Sequence, residues 1–324
     1  MNVKHWANRI GDALLDPTIF LSFDRHGFRR HASSFAAEDL EVSLSGRTFA
    51  ITGANSGIGF ATTKALALRG ARVWMLCRSE TRGAEALSLI TREHPDADLT
   101  LITLDLADPK SVSSLDGRLP GGAIDGLIHN AGILPRDYSR GAWGLESTLA
   151  TNLVAPFALT SCLLPRLRAG ERSRIIWVSS GGMYTQRLVV EDLDTPQKGF
   201  DGVRAYARTK RAMVVLSELL AERLSDDGIA VHAMHPGWAD TPGVESSIPG
   251  FWKLTKAILR SPEEGADTLV WLAATEHAHL QPGLFWFDRK ARSTYLLGKR
   301  ASEQERGRLW DALHRWARLD EQIA

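Results

Sequence analysis

Short apolar runs alternate with longer amphipathic stretches along most of this 324-residue chain. The first two runs, Thr48–Thr52 and Arg72–Cys77, consist mainly of apolar and β-branched residues, which is typical of buried strands. Most runs are followed by small or polar residues and then by apolar residues at helical spacing. Strands that alternate with helices predict a parallel sheet of about seven strands with helices on both faces. The five later runs lie at residues 99–104, 124–129, 175–180, 229–234 and 284–287.

The first 45 residues precede this pattern and form an N-terminal extension. Trp6, Ile10 and Leu14 recur at helical spacing, and Pro17 would end that helix. The stretch at residues 23–31 is both aromatic and basic, which leaves two interpretations open. It either contacts a membrane surface or a partner, or it packs as an arm on its own domain or on a second subunit. The apolar stripe is short, which favours the packed arm.

The chain ends in a predicted helix that lies beyond the last strand. Ser302 and Glu305 have the spacing of a capping box, which marks the start of a helix. Leu309, Leu313 and Trp316 then form an apolar stripe, which indicates packing on the body of the protein. The predicted organisation is an N-terminal extension at residues 1–45, a main domain at residues 46–290 and a C-terminal helical extension at residues 291–324.

Composition and charge are those of an ordinary globular protein. Hydrophobic residues make up 44% of the chain and the net charge is +1, so nothing indicates nucleic acid as a partner. Cys77 and Cys162 lie in apolar stretches without metal-like spacing. They predict no metal site, no disulfide and a reducing, cytoplasmic location. No apolar run approaches the roughly 20 residues of a membrane span, so we expect no transmembrane segment, and peripheral membrane contact stays open.

The turn after the first strand has the composition of a dinucleotide-binding turn. Its sequence at residues 53–59, Gly-Ala-Asn-Ser-Gly-Ile-Gly, lies between a predicted strand and a predicted helix. Glycines let the backbone approach a pyrophosphate, and the helix N-terminus offers unpaired N–H groups to it. This setting predicts an α/β fold with a single Rossmann-type, doubly wound parallel sheet. The candidate cofactor-binding residues of the turn are Gly53, Asn55, Ser56, Gly57, Ile58 and Gly59.

The ends of later strands supply further candidates, because ligands of such sheets bind at the carboxyl edge. An NAD site usually places an acid after the second strand, whereas this chain has Arg78. A guanidinium can pair with the 2′-phosphate of NADP through two hydrogen bonds. NADP(H) is therefore the preferred cofactor. Glu80 is the nearest acid that could bind the ribose hydroxyls instead, so NAD(H) stays open. The third and fourth strands are followed by Asp105, Leu106, Asn130, Ala131 and Gly132.

The acid/base candidates are Tyr206 and Lys210, which lie four residues apart on a predicted helix that Asp201 would cap. A nearby cation lowers the phenol pKa from its ordinary value of about 10, which would make Tyr206 a useful acid/base. A second pair with this spacing is Tyr295 and Lys299. Because glycine interrupts that stretch, we expect no helix there and treat the pair as a coincidence.

Two more polar side chains stand out by their positions. Asn152 lies inside a long predicted helix at residues 145–167, where asparagine is a poor helix former. Pro156 follows four residues later and predicts a local break that needs a polar partner. Ser180 ends the fifth strand, so its hydroxyl is expected at the edge of the sheet where ligands bind.

These motifs occur in an order that resembles the short-chain dehydrogenase/reductase family over about residues 46–290. Each motif alone is weak, whereas the joint pattern is specific. The stretches at residues 179–183 and 235–244 are similar to one branch of that family, which has a comparable N-terminal extension. The motifs that carry the resemblance are the glycine turn, Asn130-Ala131-Gly132, Asn152, Ser180, Tyr206 and Lys210.

The resemblance implies a role for each of these residues. Tyr206 would be the general acid/base, and Lys210 would bind the nicotinamide ribose and lower the phenol pKa. Ser180 would hold the substrate oxygen, and Asn152 would position a water in a proton relay. The residues implied at the cofactor are Asp105 and Asn130 at the adenosine end and Pro236, Gly237 and Thr241 at the nicotinamide end.

The chain departs from the family's pattern in two places. His129 stands where many members have asparagine, which affects cofactor packing more than chemistry. The gap between Ser180 and Tyr206 is longer than in many members and resembles the retinol-dehydrogenase-like side of the family. The insert at residues 183–202 contains Tyr184 and is expected to shape the substrate mouth.

We therefore expect an NADP-dependent oxidoreductase that interconverts a small-molecule carbonyl and an alcohol by hydride transfer. The segment after Thr241 carries Val244, Ile248, Phe251 and Trp252, which favours a lipophilic substrate. Simple packing of these residues is the competing explanation. The alternative function is a nucleotide-binding scaffold that acts through a partner, and turnover of NADPH with a carbonyl panel would separate the two. The sequence leaves the oligomeric state open, including a homo-oligomer.

Overall fold

The computed structural model describes residues 22–276, 281–295 and 300–319. Within these ranges the strands form one sheet. They are β1 Thr48–Thr52, β2 Arg72–Cys77, β3 Leu99–Thr103, β4 Gly126–His129, β5 Arg174–Val178, β6 Ala230–Met234, β7 Phe285–Phe287 and β8 Lys290–Arg292. Their spatial order is β3-β2-β1-β4-β5-β6-β7-β8. The first seven strands run parallel, as predicted, and β8 pairs antiparallel with β7.

Helices cover both faces of the sheet, which makes it doubly wound. They are α1 Arg25–Ala32, α2 Gly57–Ala67, α3 Glu80–Glu93, α4 Pro109–Ser113, α5 Ser147–Arg168, α6 Gly202–Arg223, α7 Pro242–Ser247, α8 Pro249–Thr255, α9 Pro262–Ala274 and α10 Glu303–Ala317. One apolar core joins the sheet to α5, α6 and α10, and the other joins it to α2 and α9. The predicted fold class is therefore confirmed.

The strands were recognisable as continuous apolar runs because both of their faces are buried. All five residues of β1 are buried, and neighbouring residues of β2 face opposite cores. Trp74 packs toward α5 and α6, whereas Val73 and Met75 pack toward α2 and α9. Successive side chains point to opposite faces of the sheet, but both faces are apolar, so these strands show no alternation of apolar and polar residues.

Among the described residues, α5 is the helix that is long and apolar enough to cross a membrane by length and composition. Its apolar window is 83% buried inside the domain, between the sheet and α10. An apolar helix that is covered on all sides is typical of the core of a large globular domain.

The N-terminal extension packs on its own domain over its described part. Phe23 is only 8% exposed, and His31 is fully buried against the body of the protein. Asp24 begins α1 by accepting a hydrogen bond from the Gly27 N–H at 2.8 Å. The packed-arm interpretation is therefore confirmed for residues 22–32. The predicted helix carrying Trp6, Ile10, Leu14 and Pro17 lies outside the described residues.

The C-terminal helix α10 is present and begins with the predicted capping box of Ser302 and Glu305. Leu309 and Leu313 are fully buried, and Trp316 packs at the margin of the same core. Arg306 pairs with two glutamates of α6. The apolar stripe and this ion pair together fix α10 against the body of the domain.

The short β8 is the strand that the sequence pattern did not predict. It follows β7 through a two-residue turn in which Asp288 has φ 50° and Arg289 has φ 55°. Hairpin turns of this kind favour asparagine and glycine, because both central residues adopt positive φ. This turn has neither, and Asp288 is instead held by buried contacts that are described below.

Candidate active site

Most of the predicted site residues follow the ends of β1, β2, β3, β4, β5 and β6, and the others, Asn152, Tyr206 and Lys210, lie on α5 and α6. Because these strands are parallel, their carboxyl ends lie at one edge of the sheet. The order of strands reverses next to β1, between its neighbours β2 and β4. Ligands of open α/β sheets bind in the crevice at such a reversal.

The glycine turn requires glycine at three positions. Gly53 has φ +67° and Gly57 has φ +53°, a region that other residues rarely adopt. A Cβ on Gly59 would collide with the carbonyl oxygen of Gly53, so this glycine lets α2 pack closely on β1. Ser56 precedes α2 without a side-chain capping bond, which leaves the first N–H groups of the helix available to an anion.

The other two residues of the turn have different surroundings. Asn55 is half-buried between Ala54 and the exposed Ser56. Ile58 points to α9, where a Cβ on Gly265 would lie 3.3 Å from its Cγ1. Ile58 therefore packs α2 against α9.

Asn130 holds the glycine turn in place. Its Nδ2 donates to the carbonyl oxygens of Thr52 at 2.9 Å and Gly53 at 3.3 Å. The Thr52 hydroxyl accepts from the N–H groups of Asn130 and Ala131, both at 3.0 Å. Thr52 is thus a site residue that sequence reasoning missed, although a hydroxyl at the end of β1 was a visible signal.

Three candidate cofactor-binding residues lie just after β2 and β3, and they differ in exposure and in hydrogen bonding. Arg78 is exposed, and no hydrogen bond or ion pair engages it within the described ranges. Asp105 uses its carboxylate to accept a hydrogen bond from the Ala107 N–H at 2.9 Å. Leu106 is buried, and its carbonyl accepts from the Trp143 indole at 2.9 Å. Of these three residues, Arg78 is therefore the one whose charged group is available to a ligand.

Asn152 lies in a π-helical turn, Ala150–Val154, inside α5. Its Oδ1 accepts from the Ile133 N–H at 2.8 Å, and its Nδ2 donates to the Ile133 carbonyl at 2.9 Å. A Cβ on Gly132 would lie 3.3 Å from Asn152 Oδ1 and 3.6 Å from Lys210 Nζ. The predicted local break in the helix is present, and it brings Asn152 next to Lys210.

Ser180 and Tyr206 meet beside these two residues. Ser180 caps a short 3₁₀ turn, and its Oγ accepts from the Gly182 N–H at 3.2 Å. Asp201 begins α6 as predicted, by accepting from the Arg204 N–H at 3.1 Å. Tyr206 is half-buried on the first turns of α6 and interacts with the Ser180 hydroxyl.

The electrostatics of the Tyr206–Lys210 pair differ from the prediction. Burial raises the pKa of Tyr206, and the hydrogen bond with Ser180 offsets part of that rise. Burial lowers the pKa of Lys210 to about 7. Its Nζ donates to the Val178 carbonyl at 2.7 Å and lies 5.4 Å from the centroid of the Tyr206 ring. The expected lowering of the phenol pKa by Lys210 was wrong, because helical spacing predicts proximity and not depth of burial.

The loop after β6 brings Thr241 to the glycine turn. A Cβ on Gly57 would lie 3.0 Å from the Thr241 Cγ2, so the two loops face each other. Gly237 has φ +76°, and a Cβ there would collide with the Arg260 side chain. The Pro236 carbonyl accepts from Arg260 at 3.5 Å. Arg260 was not predicted from the sequence, since it lies 24 residues from Pro236.

His235 connects this loop to the Ser180 turn. Its Nδ1 accepts from the Gly181 N–H at 3.2 Å, so the ring joins β6 to the residue after Ser180. Burial and then the nearby Arg260 charge lower the pKa of His235 to about 3. The ring therefore stays neutral at neutral pH, which keeps Nδ1 available as an acceptor.

The other residues that the sequence singled out make contacts within the fold. His129 contacts Thr160 at 2.8 Å, and burial lowers its pKa to about 3. Tyr184 donates its hydroxyl to the Ser293 carbonyl at 2.8 Å, which ties the insert to the residue after β8. Tyr295 lies outside any helix, and its hydroxyl accepts from the Ala301 N–H at 3.0 Å. Lys299 lies outside the described residues.

Comparison with known proteins agrees with this geometry. A family model described as short chain dehydrogenase matches residues 47–250. A Bos taurus protein named Dehydrogenase/reductase SDR family member 12 is 39% identical over 300 residues, with 91% of this chain and 94% of that protein covered. Human Retinol dehydrogenase 12 is 33% identical, with 83% and 86% covered. A crystal structure of an uncharacterised Mycobacterium paratuberculosis protein covers 87% of this chain with TM-score 0.69 and 27% identity, and 97% of that chain is covered.

The chain belongs to the short-chain dehydrogenase/reductase family and is an oxidoreductase of that family. The branch that the sequence resembled, member twelve, is confirmed as similar by the bovine relative and by its human counterpart, which is 40% identical and has 86% of its length covered.

Proposed function

We propose that this chain is an NADP(H)-dependent oxidoreductase that interconverts a carbonyl and an alcohol by hydride transfer, with Tyr206 as general acid/base. The observation that carries the proposal is the convergence of Ser180, Tyr206, Lys210 and Asn152 beside the glycine turn. Ser180 interacts with Tyr206, and both Asn152 and Lys210 lie next to Gly132. The nicotinamide ring of the bound cofactor supplies or accepts the hydride.

The proton transfer can be followed in the direction of reduction. Ser180 orients the substrate oxygen, and Tyr206 donates its phenolic proton to that oxygen as the alcohol forms. The raised pKa of Tyr206 keeps the phenol protonated at neutral pH, which is the form that donation requires. Asn152 lies next to Lys210 and would hold a water through which the proton is replaced.

The cofactor cradle fits a dinucleotide. Gly57 has no side chain where the glycine turn faces Thr241, and the N–H groups at the start of α2 are available to a pyrophosphate. In this proposal Lys210 binds the nicotinamide ribose, and Thr241 lies at the nicotinamide end of the cofactor. A Beutenbergia cavernae protein described as an NAD(P)-dependent gluconate 5-dehydrogenase, 26% identical with TM-score 0.62, has NADP bound.

The preference for NADP(H) over NAD(H) rests on Arg78. The guanidinium is exposed after β2, and the residue before it is the buried Cys77 rather than an acid. Burial raises the pKa of the Cys77 thiol to about 11, so the thiol stays neutral and does not replace a carboxylate. Arg78 is therefore the charged group at the place where a 2′-phosphate would lie.

The proposed substrate is lipophilic. The segment of α7 and α8 follows Thr241, and Arg136 from the loop after β4 donates to the Ser246 carbonyl at 3.3 Å. This contact links the loop after β4 to α7, which would hold a segment that closes over the site. Phe251 packs on Trp238 with ring centroids 5.2 Å apart. Some relatives are named retinol dehydrogenases, and retinol is a lipophilic alcohol.

A substrate screen tests the proposal. The purified chain is assayed with NADPH and NADH against retinal, long-chain aldehydes, aromatic ketones and small polar sugars. We expect turnover of lipophilic carbonyls with NADPH. Preference for polar sugars would overturn the lipophilic pocket. NADPH binding without turnover of any carbonyl would favour the nucleotide-binding scaffold instead.

The proposed location is the cytoplasm, with peripheral membrane contact as the alternative. Its support is that both cysteines of the chain are free thiols and that the apolar helix α5 is buried inside the domain. Flotation of the full-length protein with liposomes tests this proposal. Protein that remains at the bottom of the gradient agrees with it, whereas floating protein would favour the membrane surface.

A further inference from the structure

The N-terminal arm, defined here as residues 22–32, lies against the loops of the active site. The family model begins at residue 47, so the arm is outside the part of the chain that the family shares. The backbone of the arm nevertheless pairs with the loop after β6. The Trp238 N–H donates to the Phe23 carbonyl at 2.7 Å, one residue beyond Gly237 at the proposed nicotinamide end.

The ring of Phe23 fills the space between two loops that the proposed mechanism uses. Its centroid lies 4.4 Å from the His235 ring, next to Pro236. On the other side, a Cβ on Gly181 would lie 2.5 Å from the Phe23 Cε2. Gly181 directly follows Ser180, and its N–H donates to His235. Phe23 thus contacts both partners of the hydrogen bond that connects the Ser180 turn to β6.

A buried ion pair fixes the arm in this position. Arg260 donates to the carbonyls of Ser22 at 2.8 Å, Phe23 at 3.0 Å and Asp24 at 3.1 Å. The same guanidinium binds Asp288 at 2.6 and 2.9 Å, and His31 Nδ1 lies 2.6 Å from that carboxylate. Arg260 and Asp288 are both about 1% exposed, so neither group is screened by solvent.

The charge state of this ion pair is stable near neutral pH. Burial alone would raise the pKa of Asp288, but the Arg260 charge and the hydrogen bonds from His31 and Arg260 outweigh it and hold the pKa below its ordinary value. The carboxylate is therefore ionised at neutral pH and anchors Arg260. Two points along the arm, at its start and at His31, are held by the same buried pair.

Resting on the function proposed above, we propose that Phe23 is a positioning residue for the reaction. It holds the Ser180–Gly181 turn against His235, and so keeps the Ser180 hydroxyl at the distance from Tyr206 that proton transfer needs. Catalytic groups must be held within a fraction of an ångström, and a displacement of about 1 Å can cost about 100-fold in rate. Phe23 thereby makes the rate of catalysis depend on the N-terminal arm, which lies outside the residues that the family model matches.

The test uses three variants of the full-length chain. Phe23→Ala removes the ring that touches Gly181 and His235, and Phe23→Leu restores most of its volume. The matched control is Phe35→Ala, since Phe35 follows the arm and packs on Phe28 and Arg289 without touching either loop. Thermal unfolding of each variant first establishes the temperature range in which all are folded.

Kinetics and NADPH titration are then measured within that range. We expect Phe23→Ala to lower kcat by about 10-fold or more, Phe23→Leu to recover most of it, and Phe35→Ala to stay within about twofold of the parent. We expect the KM for NADPH to change less than kcat, because Phe23 packs on the loop at the nicotinamide end, whereas the glycine turn that would hold the pyrophosphate is positioned by Asn130. A kcat for Phe23→Ala equal to that of Phe35→Ala would overturn the positioning role.

Hydrogen exchange separates failure of this inference from failure of the proposed function. If the parent chain turns over no carbonyl, the proposed function fails. The amide exchange rates of residues 179–183 and 235–241 then show whether the arm still holds these two loops in place. We expect these amides to exchange faster in Phe23→Ala than in Phe35→Ala. Equal exchange in the two variants would overturn the arm's effect on the loops whatever the activity.

Discussion

The two ends of the candidate cofactor site are built in different ways. At the adenosine end, the glycine turn, Thr52 and Asn130 come from the ends of two strands that pair directly. Their contacts are hydrogen bonds between side chains and backbone groups, together with close glycine packing. At the nicotinamide end, the loop after β6 is held by Arg260 and by the N-terminal arm, and Arg260 lies more than 230 residues from its partners in that arm. The first end depends on two neighbouring strands of the sheet, and the second depends on segments that lie outside the parallel strands.

This difference affects how each end should respond to mutation. A change at the exposed Arg78 removes a contact to a ligand and leaves the fold as it is. A change in the buried pair of Arg260 and Asp288 removes a contact that holds three segments together. We therefore expect binding effects at one end and combined effects on stability and rate at the other.

The largest effect is expected at the buried ion pair. Asp288→Asn keeps a residue that tolerates positive φ but leaves the Arg260 charge without its partner. Breaking a buried pair in this way typically costs about 3–5 kcal/mol in the free energy of unfolding. Chemical denaturation is the measurement. The control is Asp227→Asn, which removes a partly exposed pair with Arg168 and should cost at most about 1 kcal/mol. Equal losses in the two variants would contradict the claim that this buried pair holds the nicotinamide end together.

A smaller effect, on binding alone, is expected at the adenosine end. Arg78→Ala removes a charge-assisted contact to the 2′-phosphate, worth roughly 1.5–3 kcal/mol in NADPH binding. NADH binding should be nearly unchanged, because NADH lacks that phosphate. Titration of both cofactors against both proteins measures the difference, and thermal unfolding should show no change for this exposed residue. Equal weakening of NADPH and NADH would contradict the assignment of Arg78.

The pH dependence of stability sharpens the account of Lys210. Its pKa is about 7 in the folded chain against an ordinary value of 10.5, so between these values the unfolded chain holds a proton that the folded chain lacks. Stability contributed by this group therefore rises with pH from about 7 upward, by at most about 1.4 kcal/mol per pH unit. Denaturation of the parent and of Lys210→Met between pH 7 and 9 measures it. A parent whose stability relative to that variant does not rise with pH would contradict the burial of Lys210.

Much of the fold was predictable because buried strands of a parallel sheet read as apolar runs. β1 and β2 have the predicted bounds, and the other parallel strands differ by one or two residues at an end. β8 was missed because it is three residues long, carries two basic residues and follows a turn without asparagine or glycine. Its turn is possible because Asp288 is held by Arg260, which no local pattern indicates.

The candidate site was predictable in its membership and less so in its electrostatics. Tyr206, Lys210, Ser180 and Asn152 do converge, because the ends of parallel strands and one face of a helix meet at one edge. The direction of the phenol pKa was not predictable, since it depends on how deeply both groups are buried. The contribution of Phe23 was not predictable either, because its contacts join segments that are far apart in sequence.

Steady-state kinetics of Tyr206→Phe test the central claim most directly. The substitution keeps the ring and removes the phenol, so packing and NADPH affinity should be retained. A positioned general acid/base contributes about 10²–10⁴-fold in rate, so we predict that kcat falls by at least about 100-fold. Tyr295→Phe, the matched control on the other pair, should leave kcat within about twofold of the parent. A Tyr206→Phe enzyme with near-normal kcat would show that the proton is delivered by another group and would contradict the account.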